Sequence, residues 1–150
     1  MKHNIEIILF QPQIPQNTGN VLRTCSVTGC ALTLVHPLGF HINDRWLKRA
    51  GLDYWDEVKV QECEDLKAHI EGSGRPFVFF TSRGGRSHYD IDYEQDISLV
   101  FGSETSGLPN WVAEKYPERC VRIPMQPGAR CLNLATSVGI GVYEALRQIR

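Results

Sequence analysis

The segment Ile97-Ser98-Leu99-Val100-Phe101-Gly102-Ser103-Glu104-Thr105-Ser106-Gly107-Leu108-Pro109 joins a nearly unbroken apolar run to a loop of glycine, hydroxyl and carboxylate residues. Ile97–Phe101 has strand length and does not alternate apolar with polar, so both of its faces must be covered. That is the pattern of a strand inside a parallel sheet with helices on either side. Two glycines, Gly102 and Gly107, flank the loop, and Pro109 sits where a short helix over Pro109–Lys115 would begin. Ligands of open α/β sheets bind just past the carboxyl ends of the strands. The loop after Phe101 is therefore a candidate site. It lacks the lysine of a P-loop and the spacing of a dinucleotide fingerprint, which disfavours a nucleotide-binding enzyme of doubly wound type. Glu104 would repel a phosphate and suits a sulfonium, an amine or a ribose hydroxyl, although glycine and serine also mark simple turns.

Outward from this segment, short apolar runs alternate with stretches of helical periodicity. Ile5–Phe10, Ala31–Val35, Phe77–Phe80 and Cys120–Ile123 read as strands. Thr18–Thr28, Glu62–Ile70 and Leu132–Ile149 read as helices, the last with Leu134, Val138, Val142, Leu146 and Ile149 on one face. The alternation predicts an α/β fold, a mostly parallel sheet flanked by helices. No linker or composition shift divides the chain, so residues 1–150 are expected to form one domain.

The 150 residues are 42% hydrophobic and 22% charged, a globular composition. A formal net charge of −1 excludes a uniformly basic surface and leaves RNA binding to local patches. The apolar run after Met1-Lys2-His3-Asn4 ends at Phe10 and contains Glu6, too short for a signal sequence or a membrane span. A cytoplasmic protein without membrane attachment is expected. The five cysteines are scattered without a Cys-x-x-Cys pair, which predicts free buried thiols. The histidines have no metal spacing, and no metal is expected.

Two further loops follow strands. The first runs Gln11-Pro12-Gln13-Ile14-Pro15-Gln16-Asn17-Thr18-Gly19-Asn20, with Arg23 six residues past Asn17. Asn17, Thr18 or Asn20 is expected to cap the helix. A cation gains nothing from the dipole near a helix N-terminus, so Arg23 implies an anionic partner such as phosphate, or is a surface arginine on an amphipathic helix. The other loop runs Ile123-Pro124-Met125-Gln126-Pro127-Gly128-Ala129-Arg130-Cys131-Leu132-Asn133, where proline and glycine forbid regular structure and Asn133 is placed to cap the last helix. Gly139 and Gly141 within that helix cost about 1 kcal/mol each relative to alanine, which predicts close packing against another helix. Arg45, Lys48 and Arg49, interleaved with Trp46, Tyr54 and Trp55, form a basic and aromatic cluster, suited to RNA or equally to solvent. Arg83-Gly84-Gly85-Arg86 reads as a flexible basic loop.

These three loops, in this order and across the whole chain, resemble motifs 1 to 3 of the SPOUT superfamily of RNA methyltransferases. Ile14-Pro15-Gln16-Asn17-Thr18-Gly19-Asn20 and Lys48-Arg49-Ala50-Gly51-Leu52-Asp53-Tyr54 look like the short enzymes that methylate a wobble ribose. The resemblance implies a deep trefoil knot in the C-terminal third and a homodimer with active sites at the subunit interface. It implies an S-adenosylmethionine-dependent RNA 2'-O-methyltransferase, acting on the wobble cytidine or uridine of leucine tRNAs and releasing S-adenosylhomocysteine. Cofactor contacts are implied at Phe80, Thr81, Gly102, Gly107, Ile123, Cys131 and Leu132. Arg23, Asn17, Glu104 and Asn133 are the implied catalytic set. Arg45, Lys48, Arg49, Arg83, Arg86 and Arg130 are expected to touch RNA. Cys131 and Ala135 stand where the superfamily commonly has serine, and a thiol donates a weaker hydrogen bond than a hydroxyl. The alternatives are a non-catalytic RNA-binding module of the same fold and a methyltransferase of the superfamily acting on another RNA.

Overall fold

The computed structural model describes residues 1–43, 45–50 and 52–149. Within the basic and aromatic segment, Gly51 and the side chains of Trp46, Ala50, Leu52 and Asp53 lie outside what is described.

The strands are β1 (Glu6–Phe10), β2 (Ala31–Val35), β3 (Val60–Cys63), β4 (Phe77–Phe80), β5 (Arg86–Ser87), β6 (Ser98–Phe101) and β7 (Cys120–Arg122). The helices are α1 (Pro15–Thr28), α2 (Arg45–Ala50), α3 (Leu66–Gly72), α4 (Asn110–Lys115) and α5 (Leu134–Ile149). One sheet holds the strands in the order β3-β2-β1-β6-β4-β7-β5, and its neighbouring strands run parallel. Register places Leu9 beside Phe101, Phe101 beside Phe80, and Phe80 beside Val121. The loops after β1, β6, β4 and β7 therefore leave the same edge of the sheet side by side. This is how three loops distant in sequence come to share one site.

Both faces of the sheet are covered, as the non-alternating strands require. Ile7, Leu9, Leu99 and Phe101 pack with Leu22 of α1 and with Val138 and Val142 of α5. Ile8, Phe79 and Val100 face the other way and pack with Ile70 of α3 and Val112 of α4. Each such side chain contributes roughly 1.5–3 kcal/mol by leaving water.

One strand carries an exception. Glu6 in β1 is buried to 4% exposure. Its carboxylate accepts hydrogen bonds from Thr33 Oγ1 at 2.5 Å and Ser98 Oγ at 2.7 Å, and lies 2.8 Å from His69 Nε2 of α3. Burial alone would raise its pKa, but these hydrogen bonds outweigh burial and hold it below the usual carboxylate value. The polar residue thus stitches three strands to α3.

Several sequence expectations are corrected. Residues 62–63 belong to β3, and the helix begins only at Leu66, where Asp65 accepts from Ala68 N at 3.1 Å. A polar edge strand with one partner buries little, so its pattern was hidden behind the helical one. The helix α1 starts at Pro15 without a side-chain cap, and Asn17 and Thr18 are buried within it. Arg23 consequently lies in the third turn of α1, beyond the first turn where a dipole argument applies. At the other end Gly29 adopts a left-handed conformation at φ 80° and donates its N–H to Cys25 O, closing the helix. Gly141 does not face a helix: a Cβ there would lie 2.9 Å from Phe80 Cζ and 3.3 Å from Phe101 Cζ. Gly84 is not part of a loose loop either, since a Cβ would meet the Val121 carbonyl carbon at 2.4 Å. Cys25, Cys30 and Cys120 are buried and Cys63 half-buried, but Cys131 is exposed. Burial pushes the Cys30 thiol up to about 11.

Candidate active site

The loops after β1, β4, β6 and β7 surround a cleft of about 660 Å³ at the carboxyl edge of the sheet. Phe80 and Thr81 from the end of β4, and Gly102 and Gly107 from the loop after β6, form part of its wall. Ile123, Cys131 and Leu132 from the loop after β7 form the rest of the predicted set. The cleft is also lined by Thr105 of the loop after β6, and by Ser103, Ser106 and Ser137, which sequence reading did not single out. Ser103 and Ser106 in a turn and Ser137 inside α5 carry no distinctive spacing, so no signal marked them.

The loop after β6 is shaped by its glycines. Ser103 and Gly107 exchange backbone hydrogen bonds of 3.1 and 3.0 Å, folding 103–107 back on itself. Gly107 has φ 68°, a left-handed conformation open to glycine, and a Cβ on Gly102 would lie 2.6 Å from the Gly107 carbonyl carbon. The glycines first serve the turn's own closure. The loop after β7 has no helix or strand between Ile123 and Asn133, as its prolines dictate, and most of it is exposed.

Glu104, Asn17 and Asn133 meet at the junction of the three loops. Glu104 Oε1 accepts from Gln13 N at 2.9 Å, and Oε2 accepts from Ile14 N at 2.9 Å and from Asn17 Nδ2 at 3.2 Å. Asn17 Oδ1 in turn accepts from Asn133 Nδ2 at 3.0 Å. Asn133 Oδ1 accepts from Ala135 N at 2.9 Å and Thr136 N at 3.2 Å, capping α5 as its position predicted.

Arg23 is not in this cleft. It lines a second, shallower cleft of about 460 Å³ between α1 and α5, with Asn20, Thr24, Val27, Ala135, Thr136 and Tyr143. Asn133 borders both clefts. The Arg23 guanidinium carbon lies 5.8 Å from the centre of the Tyr54 ring, a cation–π contact that fixes an otherwise exposed side chain. Tyr54 belongs to the basic and aromatic segment, and that segment packs along α1 through α2. Arg45, Lys48 and Arg49 are exposed there. Among the remaining basic residues, Arg83 borders the larger cleft, Arg130 is exposed in the loop after β7, and Arg86 donates to Asp90 O at 2.9 Å and Glu118 O at 3.4 Å. Carbonyls hold the Arg86 side chain without neutralising it.

His88, one of the histidines without metal spacing, is a buried group that the sequence did not single out. It is fully buried beside Phe80, and among the described residues neither ring nitrogen has a hydrogen-bond partner. Burial lowers its pKa below the usual histidine value. Among the described residues no three His, Cys, Asp or Glu side chains group as metal ligands, and no helix is long and apolar enough to cross a membrane.

A parallel sheet with a cleft at the carboxyl ends of its central strands, walled by the loops after β1, β4, β6 and β7, defines an α/β protein with a small-molecule site at its strand ends. The SpoU rRNA Methylase family matches residues 4–143, and the chain belongs to that family of S-adenosylmethionine-dependent RNA methyltransferases. It is 44% identical over 145 residues to a tRNA (cytidine(34)-2'-O)-methyltransferase of Methylovorus glucosotrophus, covering 95% of this chain and 94% of that one. It is 41% identical over 152 residues to a tRNA (cytidine(34)-2'-O)-methyltransferase of Yersinia pestis, covering 97% and 94%. A solved structure concerned with 2-OH methylation of C/U34 on tRNA superposes with a TM-score of 0.91 at 41% identity, over 99% of this chain and 97% of the other.

Proposed function

We propose that this protein methylates the ribose 2'-hydroxyl of the wobble nucleotide, cytidine or uridine 34, of leucine tRNAs, with S-adenosylmethionine as donor and S-adenosylhomocysteine as product. The observation that carries this reading is the pair of clefts sharing Asn133. The larger has the volume of a small-molecule site, and the smaller presents Arg23 at its side. Similarity of 41–44% to named wobble methyltransferases over nearly the full chain supports the choice of target.

The larger cleft fits an adenosyl cofactor by its chemistry. Phe80 and Leu132 offer apolar surface, Thr81 and Ser103 offer hydroxyls, and the turns after β6 and β7 offer backbone groups. S-adenosylmethionine, when bound, supplies a methyl group on a cationic sulfur. The chain must then bring the ribose oxygen into line and favour passage of its proton to solvent water as the oxygen takes the methyl group. A guanidinium is a very poor base, so Arg23 acts as an electrostatic stabiliser of the developing alkoxide and as a clamp on the adjoining phosphate. Alignment by the two clefts supplies much of the rate, since positioning alone is worth roughly 7–11 kcal/mol in favourable cases. Arg45, Lys48, Arg49, Arg83, Arg86 and Arg130 supply phosphate contacts.

The reading includes a homodimer closing on the α1–α5 face. Support comes from Val27 and Tyr143, 63% and 53% exposed on that face, and from Gly139, whose Cβ position meets nothing within 4 Å. It also includes one domain over residues 1–150, the trefoil knot around the loops after β6 and β7, and a cytoplasmic location, each carried by membership of the family.

The test is a methylation assay with S-adenosylmethionine and tRNA lacking wobble ribose methylation, followed by nuclease digestion and mass spectrometry of the nucleosides. A new 2'-O-methylated cytidine or uridine derivative at position 34 is expected. No new methyl group, alongside cofactor binding and an active control enzyme, refutes it in favour of another RNA or an RNA-binding module.

A further inference from the structure

Glu104 looks at first like the base of the reaction, because it is the carboxylate at the centre of the site. Its geometry argues otherwise. A carboxylate only accepts hydrogen bonds. Both oxygens of Glu104 are turned toward the first loop, where they take the N–H groups of Gln13 and Ile14 and the side-chain amide of Asn17. The consequence runs further than this one residue. Asn17 must turn its Nδ2 toward the carboxylate, which leaves Oδ1 facing Asn133. Asn133 must then present Nδ2 to Asn17, which leaves its Oδ1 for the free N–H groups at the start of α5. One charge thus sets the direction of every bond along a chain that begins in the loop after β6, crosses α1 and ends on α5.

We infer that Glu104 is a positioning residue, whose carboxylate orients a one-way hydrogen-bond relay through Asn17 and Asn133 and thereby sets α1, with Arg23, against the cofactor cleft. Asn133 borders both clefts, so the end of the relay lies where the two reactants would meet. The relay's effect on turnover rests on the methyltransferase reading above; the directions of its hydrogen bonds do not.

The relay is tested by reversing it. Glu104→Gln replaces one acceptor oxygen with an amide donor. With the amide nitrogen in the Oε2 position, Ile14 N–H loses its acceptor and Asn17 flips to accept, so that its Nδ2 confronts Asn133 Nδ2; with the nitrogen in the Oε1 position, Gln13 N–H is left facing a donor. Asn133→Asp keeps the cap, since an aspartate caps a helix as well as an asparagine, but sets an oxygen against Asn17 Oδ1. Each single change is expected to lower kcat/KM roughly tenfold or more, the effect of one opposed or unmet polar contact. The melting temperature of Asn133→Asp is expected to fall by only a few degrees, the size of one opposed contact in a helix whose cap is kept. In the double variant Glu104→Gln/Asn133→Asp the chain runs consistently in the opposite direction, with the new amide at position 104 donating to Asn17 and Asn17 donating to the new carboxylate at position 133. Its kcat/KM is expected to exceed the product of the two single effects by about tenfold, a coupling of the size found within networks. Single effects that simply multiply in the double variant overturn the relay.

A second readout needs no turnover. Amide hydrogen exchange at Gln13 and Ile14 should accelerate in Glu104→Gln, and unchanged exchange there also overturns the relay. A parent chain that exchanges as expected but transfers no methyl group refutes the proposed function while leaving the relay standing.

Discussion

Gly141 is the position where packing in the core reaches the site most directly, and Gly141→Ala measures that connection. The added Cβ would lie 2.9 Å from Phe80 Cζ, 3.1 Å from Phe80 Cε1 and 3.3 Å from Phe101 Cζ. A ring end can normally swing away at little cost. Here it is stacked on Phe101 with centroids 4.6 Å apart and planes 14° from parallel, and it abuts His88 at 5.9 Å on another side. The stack must move as a unit, so the change ranks as overpacking, worth about 1–3 kcal/mol. Replacing glycine inside a helix returns about 1 kcal/mol. Gly139 isolates the two contributions, because it lies in the same helix and its Cβ would meet nothing within 4 Å. Within one protomer Gly139→Ala carries the helix gain alone, and with the oligomeric state unchanged the difference between the variants is the packing cost. At about 2–4 °C per kcal/mol for a chain of this size, Gly141→Ala should melt roughly 2–12 °C below Gly139→Ala. Differential scanning calorimetry measures the gap, with sedimentation recorded to register any change of oligomeric state. Phe80 also lines the larger cleft, so titration with S-adenosylhomocysteine should give weaker binding to Gly141→Ala alone. Two variants with equal melting temperatures and equal affinities would refute this account of the aromatic stack.

Arg23→Lys keeps the charge but loses the planar fork, and kcat/KM for tRNA methylation should fall at least about tenfold, with full activity counting against a phosphate clamp. Tyr54→Leu removes the ring beneath Arg23, worth about 0.5–1 kcal/mol at an exposed site, and should lower kcat/KM roughly two- to fivefold with little change in melting temperature, while Tyr54→Trp retains activity. Glu6→Ala leaves Thr33, Ser98 and His69 without their shared acceptor and should cost about 3 kcal/mol or more in urea unfolding at neutral pH. The sign with pH follows from the lowered carboxylate value: the contribution of Glu6 is full above its ordinary value of 4.5 and is lost as pH falls through the folded value, so the variant's deficit should shrink in acid. His88→Phe should raise the melting temperature by removing two buried nitrogens that lack partners among the described residues, and it should flatten the loss of stability as pH falls below 6.5, because burial disfavours the protonated ring in the folded state.

Much of the fold could be read from residues alone. Non-alternating runs such as Ala31–Val35 and Phe77–Phe80 match the observed strands, because a strand buried on both faces has no alternative pattern. The α5 periodicity was equally plain, since a core-facing helix must repeat its apolar residues at helical spacing. The weak signals belonged to the sheet's edges. The strand β3 is half exposed and mixed in polarity, and β5 is two residues long. Neither buries enough side chain to leave a pattern. The three loops were likewise legible, through glycine and proline and through the resemblance those residues carry.

Tertiary structure decided which groups meet. Sequence order gave no means of knowing that Glu104 would span some ninety residues to hold Gln13 and Ile14 or that Arg23 would stand in a second cleft, against Tyr54. Nor could Gly141 be assigned to an aromatic pair rather than to a neighbouring helix. The physical reason is one of range. Chain-local forces govern periodicity, turns and caps, so they are written in adjacent residues. Parallel register brings together the ends of strands distant in the chain, and a hydrogen bond between them depends on where those ends arrive.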